Sequence, residues 1–495
     1  MGAYPAPHTP CTLREGKSSM VRRTRIAALV TLAMINVVTL AAGVAVARML
    51  PARLAALRVA SVNAGPVVGA GAVLAPGARS GPLPAANGLR SALAGPLSAA
   101  AVGSQVSVLV ADAVTGRVLL SEDGTRLSTP ASTTKLATAE AALAVLGAGA
   151  RFTTRVVLGQ AAGSIVLVGG GDPTLAVKPY PAQDYPRPAT LASLAAATAS
   201  ALKKEGRDTI ALGYDTSLYT GPLLAPGWSQ SYVGGGDVTS IVSLEVDQGR
   251  LTSAGTPQDS DDPYNLGPRA TDPAAMAAAS FAGLLTADGI KATGIPVAEQ
   301  AAAHAAVVAS VSSPPLSAIV EQMLLESNNV IAENLARQVA VATGQPASFG
   351  GATAAVIAEL RRLGVTTGIH LVDGSGLSPQ DGIAPATLVR VLELAEAEPQ
   401  LRAILAGLPV AGFSGTLSAS QSVFSGIGGG ARGVVRAKTG NLGTVAALAG
   451  FVTDKAGRVL VFAIMADQIP DAGLLQTAAN DIDAASAALA ACGCR

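Results

Sequence analysis

Three short clusters of reactive side chains stand in one order along the chain: Ser132-Thr133-Thr134-Lys135, then Ser327-Asn328-Asn329, then Lys438-Thr439-Gly440. Their spacing is the strongest constraint on the fold. If they share one site, the chain must leave the first cluster, run for 191 residues, return at Ser327, leave again and return at Lys438. Each cluster suits a different part of one reaction. Ser132 and Lys135 offer a nucleophile with a base on the same helical face, since residues three apart are neighbours there. Ser327 and Asn329 offer a proton relay and a substrate clamp. Lys438-Thr439-Gly440 offers a cation and a strand edge.

Context separates these clusters from decoys. Ser200-Ala201-Leu202-Lys203 repeats the Ser-x-x-Lys pattern but falls late in an Ala/Leu-periodic stretch, Leu191–Lys204, just before Gly206. That places it at a helix C-terminus, where the negative end of the dipole disfavours a reactive alkoxide. Ser61-Val62-Asn63 precedes the nucleophile cluster and lies in linker-like sequence. Ser132 instead follows Ser128-Thr129-Pro130-Ala131, which suits a helix start, and a helical pattern then runs to Leu146-Gly147. Its hydroxyl is expected in the first turn, near free backbone N–H groups.

The N-terminal region reads as export machinery. Residues 1–25 form a tail with a basic cluster, Lys17, Arg22, Arg23 and Arg25, and Glu15 as its one acid. Ile26 to Ala47 is an uncharged apolar run of 22 residues, long enough for a bilayer, which needs about 20. The basic flank places the N-terminus in the cytoplasm and everything later outside. Ala45-Val46-Ala47 could serve as a signal-peptidase site. The run exceeds the usual signal core of about 7–15 residues, however, which favours a retained anchor. Residues 48–85 are rich in Ala, Gly and Pro and read as a flexible linker.

Folded sequence is expected from Ala86, with a helix over Leu89–Ala101 and strands over Val106–Val110 and Arg117–Ser121 joined by a turn at Thr115-Gly116. Strands are expected at Arg151–Val157, Ser164–Val168, Thr209–Tyr214 and Ala305–Val311. Helices are expected at Leu191–Lys204, Ala275–Ala287 and Leu316–Leu325. Residues 155–310 read as an inserted α/β domain that interrupts a catalytic domain made of 86–154 and 311–495. The glycine run Gly169-Gly170-Gly171 resembles a phosphate loop, but no Gly-Lys-Ser/Thr follows it, so a structural turn is expected.

Composition excludes more than it selects. With 34 basic and 33 acidic residues the net charge is +1, which gives no case for nucleic-acid binding. The only histidines are His8, His304 and His370, without ligand spacing, so no metal site is expected, nor a Ser-His-Asp triad. Cys492 and Cys494 could pair in an oxidising compartment, but two cysteines so close form a strained bridge, so free or loosely paired thiols are expected.

With its flanks included, the sequence resembles the penicillin-binding protein 4 family of D-alanyl-D-alanine carboxypeptidases and endopeptidases, peptidase family S13. The stretches that carry the likeness are Pro130-Ala131-Ser132-Thr133-Thr134-Lys135-Leu136, Gly169-Gly170-Gly171-Asp172-Pro173-Thr174-Leu175, and Ser327-Asn328-Asn329 with Ala332-Glu333-Asn334-Leu335. Further on are Asp373-Gly374-Ser375-Gly376-Leu377-Ser378, Leu408-Pro409-Val410-Ala411-Gly412, Gly415-Thr416-Leu417 and Ala437-Lys438-Thr439-Gly440. The chain departs from the family pattern at Asn328, where Asp is frequent, at Pro379, where Arg is frequent, and at Asn441, where a hydroxyl residue is usual.

The resemblance implies an α/β (α+β) fold: a catalytic domain of the serine β-lactamase and penicillin-binding-protein type, its antiparallel sheet packed between helices, with an inserted α/β domain. It implies a serine D-Ala-D-Ala carboxypeptidase, also able to act as an endopeptidase, that works on peptidoglycan stem peptides, is trapped by β-lactams and needs no cofactor. Ser132 is then the nucleophile and Lys135 its base. Ser327 relays the proton, and Asn329 orients Lys135 and holds substrate. Lys135 can act only if its neutral form is populated, which needs desolvation or a nearby cation, and Lys438 could supply that positive field while drawing in the terminal carboxylate. Thr439 offers that carboxylate a hydroxyl, Gly440 leaves room for substrate, and the N–H groups of Ser132 and Asn441 form the oxyanion hole. Two alternatives of other classes are a β-lactamase and a non-hydrolytic module that binds cell-wall peptides. Glu333 is expected on a helix face, Asp373 in a Gly-rich turn and His370 in a strand.

Overall fold

The computed structural model describes residues 81–180, 185–251, 267–366, 368–418 and 431–494. The basic tail, the Ile26–Ala47 run and nearly all of the 48–85 linker lie outside the described residues. The strands are β1 (Val106–Asp112), β2 (Val118–Glu122), β3 (Thr153–Leu158), β4 (Ser164–Val168), β5 (Thr209–Asp215), β6 (Lys291–Ala298), β7 (Val307–Ser312), β8 (Ile369–His370), β9 (Gly382–Ile383), β10 (Val435–Leu442), β11 (Val445–Thr453) and β12 (Val459–Ala466).

One sheet has the order β10-β11-β12-β1-β2 and is antiparallel throughout. β1 and β12 are apolar runs rather than alternating ones, because helices cover both faces. Successive side chains point to opposite faces. Leu109, Ala111, Ala447, Ala449, Val461, Ala463 and Met465 pack into one core with the helices Thr134–Leu146, Leu316–Glu326, Asn329–Ala342, Phe349–Arg362 and Pro385–Ala397. Their neighbours Val108, Val110, Ala446, Leu448, Leu460, Phe462 and Ile464 pack into a second core with the helices Ala86–Leu97 and Leu475–Ala491. Each large side chain so buried stabilises the fold by about 1.5–3 kcal/mol over exposure.

The Thr134–Leu146 helix is the axis of the first core. Every residue from Thr134 to Leu143 is buried, as expected of a helix apolar on all sides. Lys135 and Glu140 are carried inside with it. The helix stops at Gly147, whose φ of 82° a side chain would resist.

A second sheet, β6-β5-β4-β3-β7, is mixed. β3 pairs antiparallel with β4 and β7, while β4, β5 and β6 run parallel. Parallel neighbours need crossovers, and the helices Leu191–Lys204 and Pro273–Ala287 lie within those connections. Their residues Leu191, Leu194, Leu202, Phe281 and Leu285 share one core with Val156, Ile165, Leu167 and Ile210. Thr190 and Asp272 cap the two helices, accepting from Ser193 N and Ala275 N. After β4, Gly169–Gly171 passes so close to the backbones of Ser243 and Thr153 and to Gln338 and Tyr219 that side chains there would clash; the run is a packing turn.

Several boundaries differ from the sequence reading. The first helix is Ala86–Leu97, not Leu89–Ala101, and Pro96 lies in its last turn. β6 is absent from that reading because Gly294 and Pro296 argue against a strand; it lies at the sheet edge, where proline is tolerated. The structure joins Cys492 and Cys494 in a disulfide, where free or loosely paired thiols were expected. The last helix stops at Ala491 and the chain turns at Cys492, which brings the two Cα atoms to 5.1 Å, within the usual range for a bridge.

Candidate active site

Ser132 lies in a single 3₁₀ turn, Ala131–Thr133, that leads into the Thr134–Leu146 helix. Ala131 has φ 46°, a left-handed value that costs a non-glycine residue about 1–3 kcal/mol and is kept only where its surroundings enforce it. Gly440 on β10 provides part of that enforcement. A side chain there would stand 2.6 Å from Pro130 O and 3.2 Å from Thr133 N. The space opened by Gly440 is thus filled by the nucleophile turn, a different use from the room for substrate that the sequence suggested.

Lys135 Nζ lies 2.8 Å from Ser132 Oγ, 2.7 Å from Asn329 Oδ1 and 2.7 Å from the Ser375 carbonyl. The side chain is fully buried. Burial pushes its pKa down to about 7, against the pull of Asp373, Glu333 and Asp381. A base is therefore available near neutral pH without help from another cation. Burial, and then the charge of Lys135, also hold Lys438 well below its ordinary value, and repulsion between two neighbouring amines acts on both.

Lys438, on edge strand β10, donates to Ser327 Oγ at 2.8 Å and to the Thr439 carbonyl at 2.9 Å. Ser327 has φ 58° at the junction of the Leu316–Glu326 and Asn329–Ala342 helices, a sharp corner that turns its hydroxyl toward Lys438. Asn328 caps the second helix by accepting from Ile331 N, and its amide donates to Gln248. Asn329 is left facing Lys135, its own amide donating to the Asp237 carbonyl at 2.9 Å.

These groups line a cleft of about 580 Å³ whose wall includes Ser132, Asp237, Ser327, Asn329, Thr416, Thr439 and Asn441. The structure thus brings Ser132, Lys135, Ser327, Asn329 and Lys438 to one site as two hydrogen-bonded groups, Lys135 with Ser132 and Asn329 and Lys438 with Ser327, with Thr439 and Asn441 at the rim and Gly440 buried behind them. The decoy Lys203 ends the Leu191–Lys204 helix instead.

The Ser375 carbonyl, Thr416 and Asp381 join the site without being among the residues expected from the sequence. Thr416 Oγ1 lies 2.7 Å from Thr439 Oγ1. Asp373 accepts from the backbone N–H groups of Ser375, Gly376 and Ser378, so it does shape a Gly-rich turn, and that turn aims the Ser375 carbonyl at Lys135. Glu333 accepts from Gly374 N. Burial, and then the charge of Asp373, hold Glu333 and Asp381 above the usual carboxylate range. Nothing in the spacing of these acids announces that they meet; the one local signal was the Asp373–Ser378 turn. No cluster of metal ligands occurs among the described residues.

The D-Ala-D-Ala carboxypeptidase 3 (S13) family matches the chain over residues 89–266 and 239–490. A carboxypeptidase, DacB, of Mycolicibacterium smegmatis is 38% identical over 84% of this chain and 86% of its own length. Among solved structures, penicillin binding protein 4 (dacB) from Haemophilus influenzae is 25% identical, with a TM-score of 0.63 over 80% of this chain and 98% of that one. The same protein complexed with a β-lactam matches with 26% identity and a TM-score of 0.58 over 79% of this chain and 98% of that one. The chain belongs to the D-Ala-D-Ala carboxypeptidase 3 (S13) family.

Proposed function

We propose that the protein is a serine D-Ala-D-Ala carboxypeptidase that cleaves peptidoglycan stem peptides through an acyl-enzyme on Ser132, and that β-lactams acylate the same serine. The observation that carries this reading is the buried Lys135 amine, 2.8 Å from Ser132 Oγ and with its pKa lowered to about 7 by burial. A serine hydroxyl is a weak nucleophile until a base takes its proton.

The reaction follows from the contacts. Neutral Lys135 accepts the proton as Ser132 Oγ attacks the penultimate D-Ala carbonyl. The oxyanion lies between the N–H groups of Ser132 and Asn441, two residues that line one cleft. The terminal carboxylate sits against Thr439 and Lys438. Because a nearby anion favours the charged form of an amine, the arriving carboxylate favours uptake of a proton from solvent by Lys438, and that charge in turn helps keep Lys135 neutral. The pair thus carries one proton where it is needed. Ser327, bonded to Lys438, passes a proton to the leaving D-Ala amine as the C–N bond breaks, and is reprotonated by Lys438, which regains the proton that Lys135 took. Neutral Lys135 then takes a proton from water as it attacks the acyl group, and returns that proton to Ser132 Oγ. Asn329 holds Lys135 and the substrate backbone.

The test is product analysis with two substrates. A stem pentapeptide should lose its terminal D-Ala, and a cross-linked dimer should part at the D-Ala bridge if endopeptidase action accompanies it. No product from either, with intact protein, would overturn the assignment.

We also place the folded region outside the cytoplasmic membrane, held by Ile26–Ala47 and the 48–85 linker. The support is the basic flank and the length of the apolar run. A reporter joined after Pro84 should be active only outside the cytoplasm, and the mass of the mature N-terminus distinguishes anchor from cleaved signal. The domain division also belongs to this reading: 155–310 as an insertion within 86–154 and 311–495, supported by the separate core of the second sheet.

A further inference from the structure

Lys135 Nζ has three contacts, and only one of them is the nucleophile. The other two, Asn329 Oδ1 and the Ser375 carbonyl, decide where the amine sits. Each is held in turn by one segment, Pro226–Asp237, from the long interval between the first and second motifs. The Ser375 carbonyl projects from the Asp373–Ser378 turn. Asp373 Oδ1 accepts from Ser375 N at 3.0 Å and Gly376 N at 2.7 Å; Oδ2 accepts from Ser378 N at 2.7 Å and from Trp228 Nε1 at 2.7 Å. Ser378 Oγ also donates to the Pro226 carbonyl at 2.9 Å. On the other side, Asn329 Nδ2 donates to the Asp237 carbonyl at 2.9 Å.

Trp228 is well placed to hold this turn still. Its ring is 7% exposed and packs edge-on against Phe349 with centroids 5.4 Å apart. A buried indole N–H needs a partner, and hydrogen bonds to charged acceptors are the stronger ones. We propose that Trp228, together with the Asp237 carbonyl, is a clamp that positions the general base: the Pro226–Asp237 segment orients both of the acceptors that aim Lys135 at Ser132. This rests on the reading of Ser132 and Lys135 given above. Trp228 is a positioning residue, since it touches neither the reacting atoms nor Lys135.

The consequence has a sign. The Ser375 carbonyl accepts from Lys135 and so favours its charged form. Loosening the turn weakens that bond, which lowers the pKa of the base and moves the acid limb of the rate profile to lower pH. Misalignment lowers the plateau at the same time. The other titratable groups facing this set are Lys438 from β10, Glu333 from the Asn329–Ala342 helix, Asp381 beside the turn, and Tyr232 and Asp237 from the clamp segment.

The experiment is acylation by benzylpenicillin, followed by intact mass from acid to alkaline pH, in the full-length protein and in Trp228→Phe, which keeps an aromatic ring but loses the N–H. The expected result is a plateau about tenfold lower with the acid limb moved to lower pH. Phe349→Leu, which keeps the indole N–H while trimming its packing and the ring face under Arg337, should leave the limb in place. Trp228→Phe with a full adduct titre, the wild-type plateau and the wild-type limb overturns the clamp. Should that variant fail to fold, 5-fluorotryptophan labels the wild-type chain at one position, since Trp228 is its single tryptophan. Its fluorine resonance should titrate with the acid limb, and a resonance unmoved through that limb also overturns the clamp. A wild-type protein that forms no adduct on Ser132 counts instead against the functional reading on which the clamp rests.

Discussion

Lys135 owes its reactivity to where it is rather than to what it is. The same residue type in the decoy Ser200-Ala201-Leu202-Lys203 ends a helix, whereas Lys135 is sealed in the core and its pKa falls to about 7. Two predictions belong at this scale. Benzylpenicillin should give one adduct, mapped to Ser132 by peptide mass. Ser132→Ala should abolish it, Lys135→Ala should slow it by about 10²–10⁴-fold, and Lys203→Ala should leave it unchanged. The pH profile should report the lysine. Above pH 7 the amine is neutral and accepts the serine proton. Below it Lys135 is protonated, and the acylation rate should fall about tenfold per unit. A profile flat through pH 7 and down to 5 would remove Lys135 from the role of base. The residue types and their order were legible in the sequence. That the Ser375 carbonyl is the third partner was not, because a backbone oxygen leaves no mark on a sequence.

At the scale of elements, the nucleophile turn and edge strand β10 shape one another. Gly440 lets Pro130 and Thr133 approach the strand, and Ala131 is held with φ 46° between Gly440 and Gly376. Gly440→Ala should push the turn off the strand. Its added methyl would meet Pro130 O at 2.6 Å, and relief requires backbone to shift. Acylation should slow by at least about tenfold, since small misplacements of a nucleophile are costly, while the far-UV circular dichroism stays that of the wild type. Wild-type acylation in Gly440→Ala would show that the turn tolerates the displacement. Helices with strong periodicity, such as Leu191–Lys204, were read from the sequence with the observed limits. β6 was not, because its Gly294 and Pro296 oppose a strand locally and pairing with β5 overrides them.

The whole molecule joins distant ends of the chain around the first sheet. Arg458, at the start of β12, donates to both oxygens of Asp112, at the end of β1, at 2.6 and 2.5 Å. Both side chains are nearly inaccessible. Burial alone would raise Asp112, but the bonds from Arg458 and Thr115 outweigh it and hold the carboxyl below its ordinary value. Arg458→Met should cost about 3–5 kcal/mol, because it leaves a buried carboxylate without its partner; chemical denaturation of the two proteins measures this. The sign with pH follows from linkage. A carboxylate lowered in the folded state stabilises above its unfolded pKa of about 3.9 and loses that contribution as pH falls through the folded value. Without Arg458 the variant's Asp112 loses its main lowering influence, so the gap between wild type and Arg458→Met should begin to narrow as pH falls through the variant's higher folded value and stop narrowing below the wild-type one. A gap of constant size from neutral pH down to 2 would point to lost packing rather than lost charge.

What the sequence determined by itself is local. Apolar runs and alternation made β1 to β5 and β7 recognisable, though the buried β11 and β12 were not read, caps and breakers bounded several helices, and the order of three motifs with their flanks specified a family. What the tertiary structure decided is everything that depends on desolvation and on residues far apart. The depression of Lys135 comes chiefly from burial, the space at Gly440 belongs to the nucleophile turn, and Trp228 reaches Asp373 across 145 positions of sequence. The physical reason is the same in each case. Hydrogen-bonding capacity and charge are properties of a residue, but their strength is set by the exclusion of water, which only the assembled fold provides.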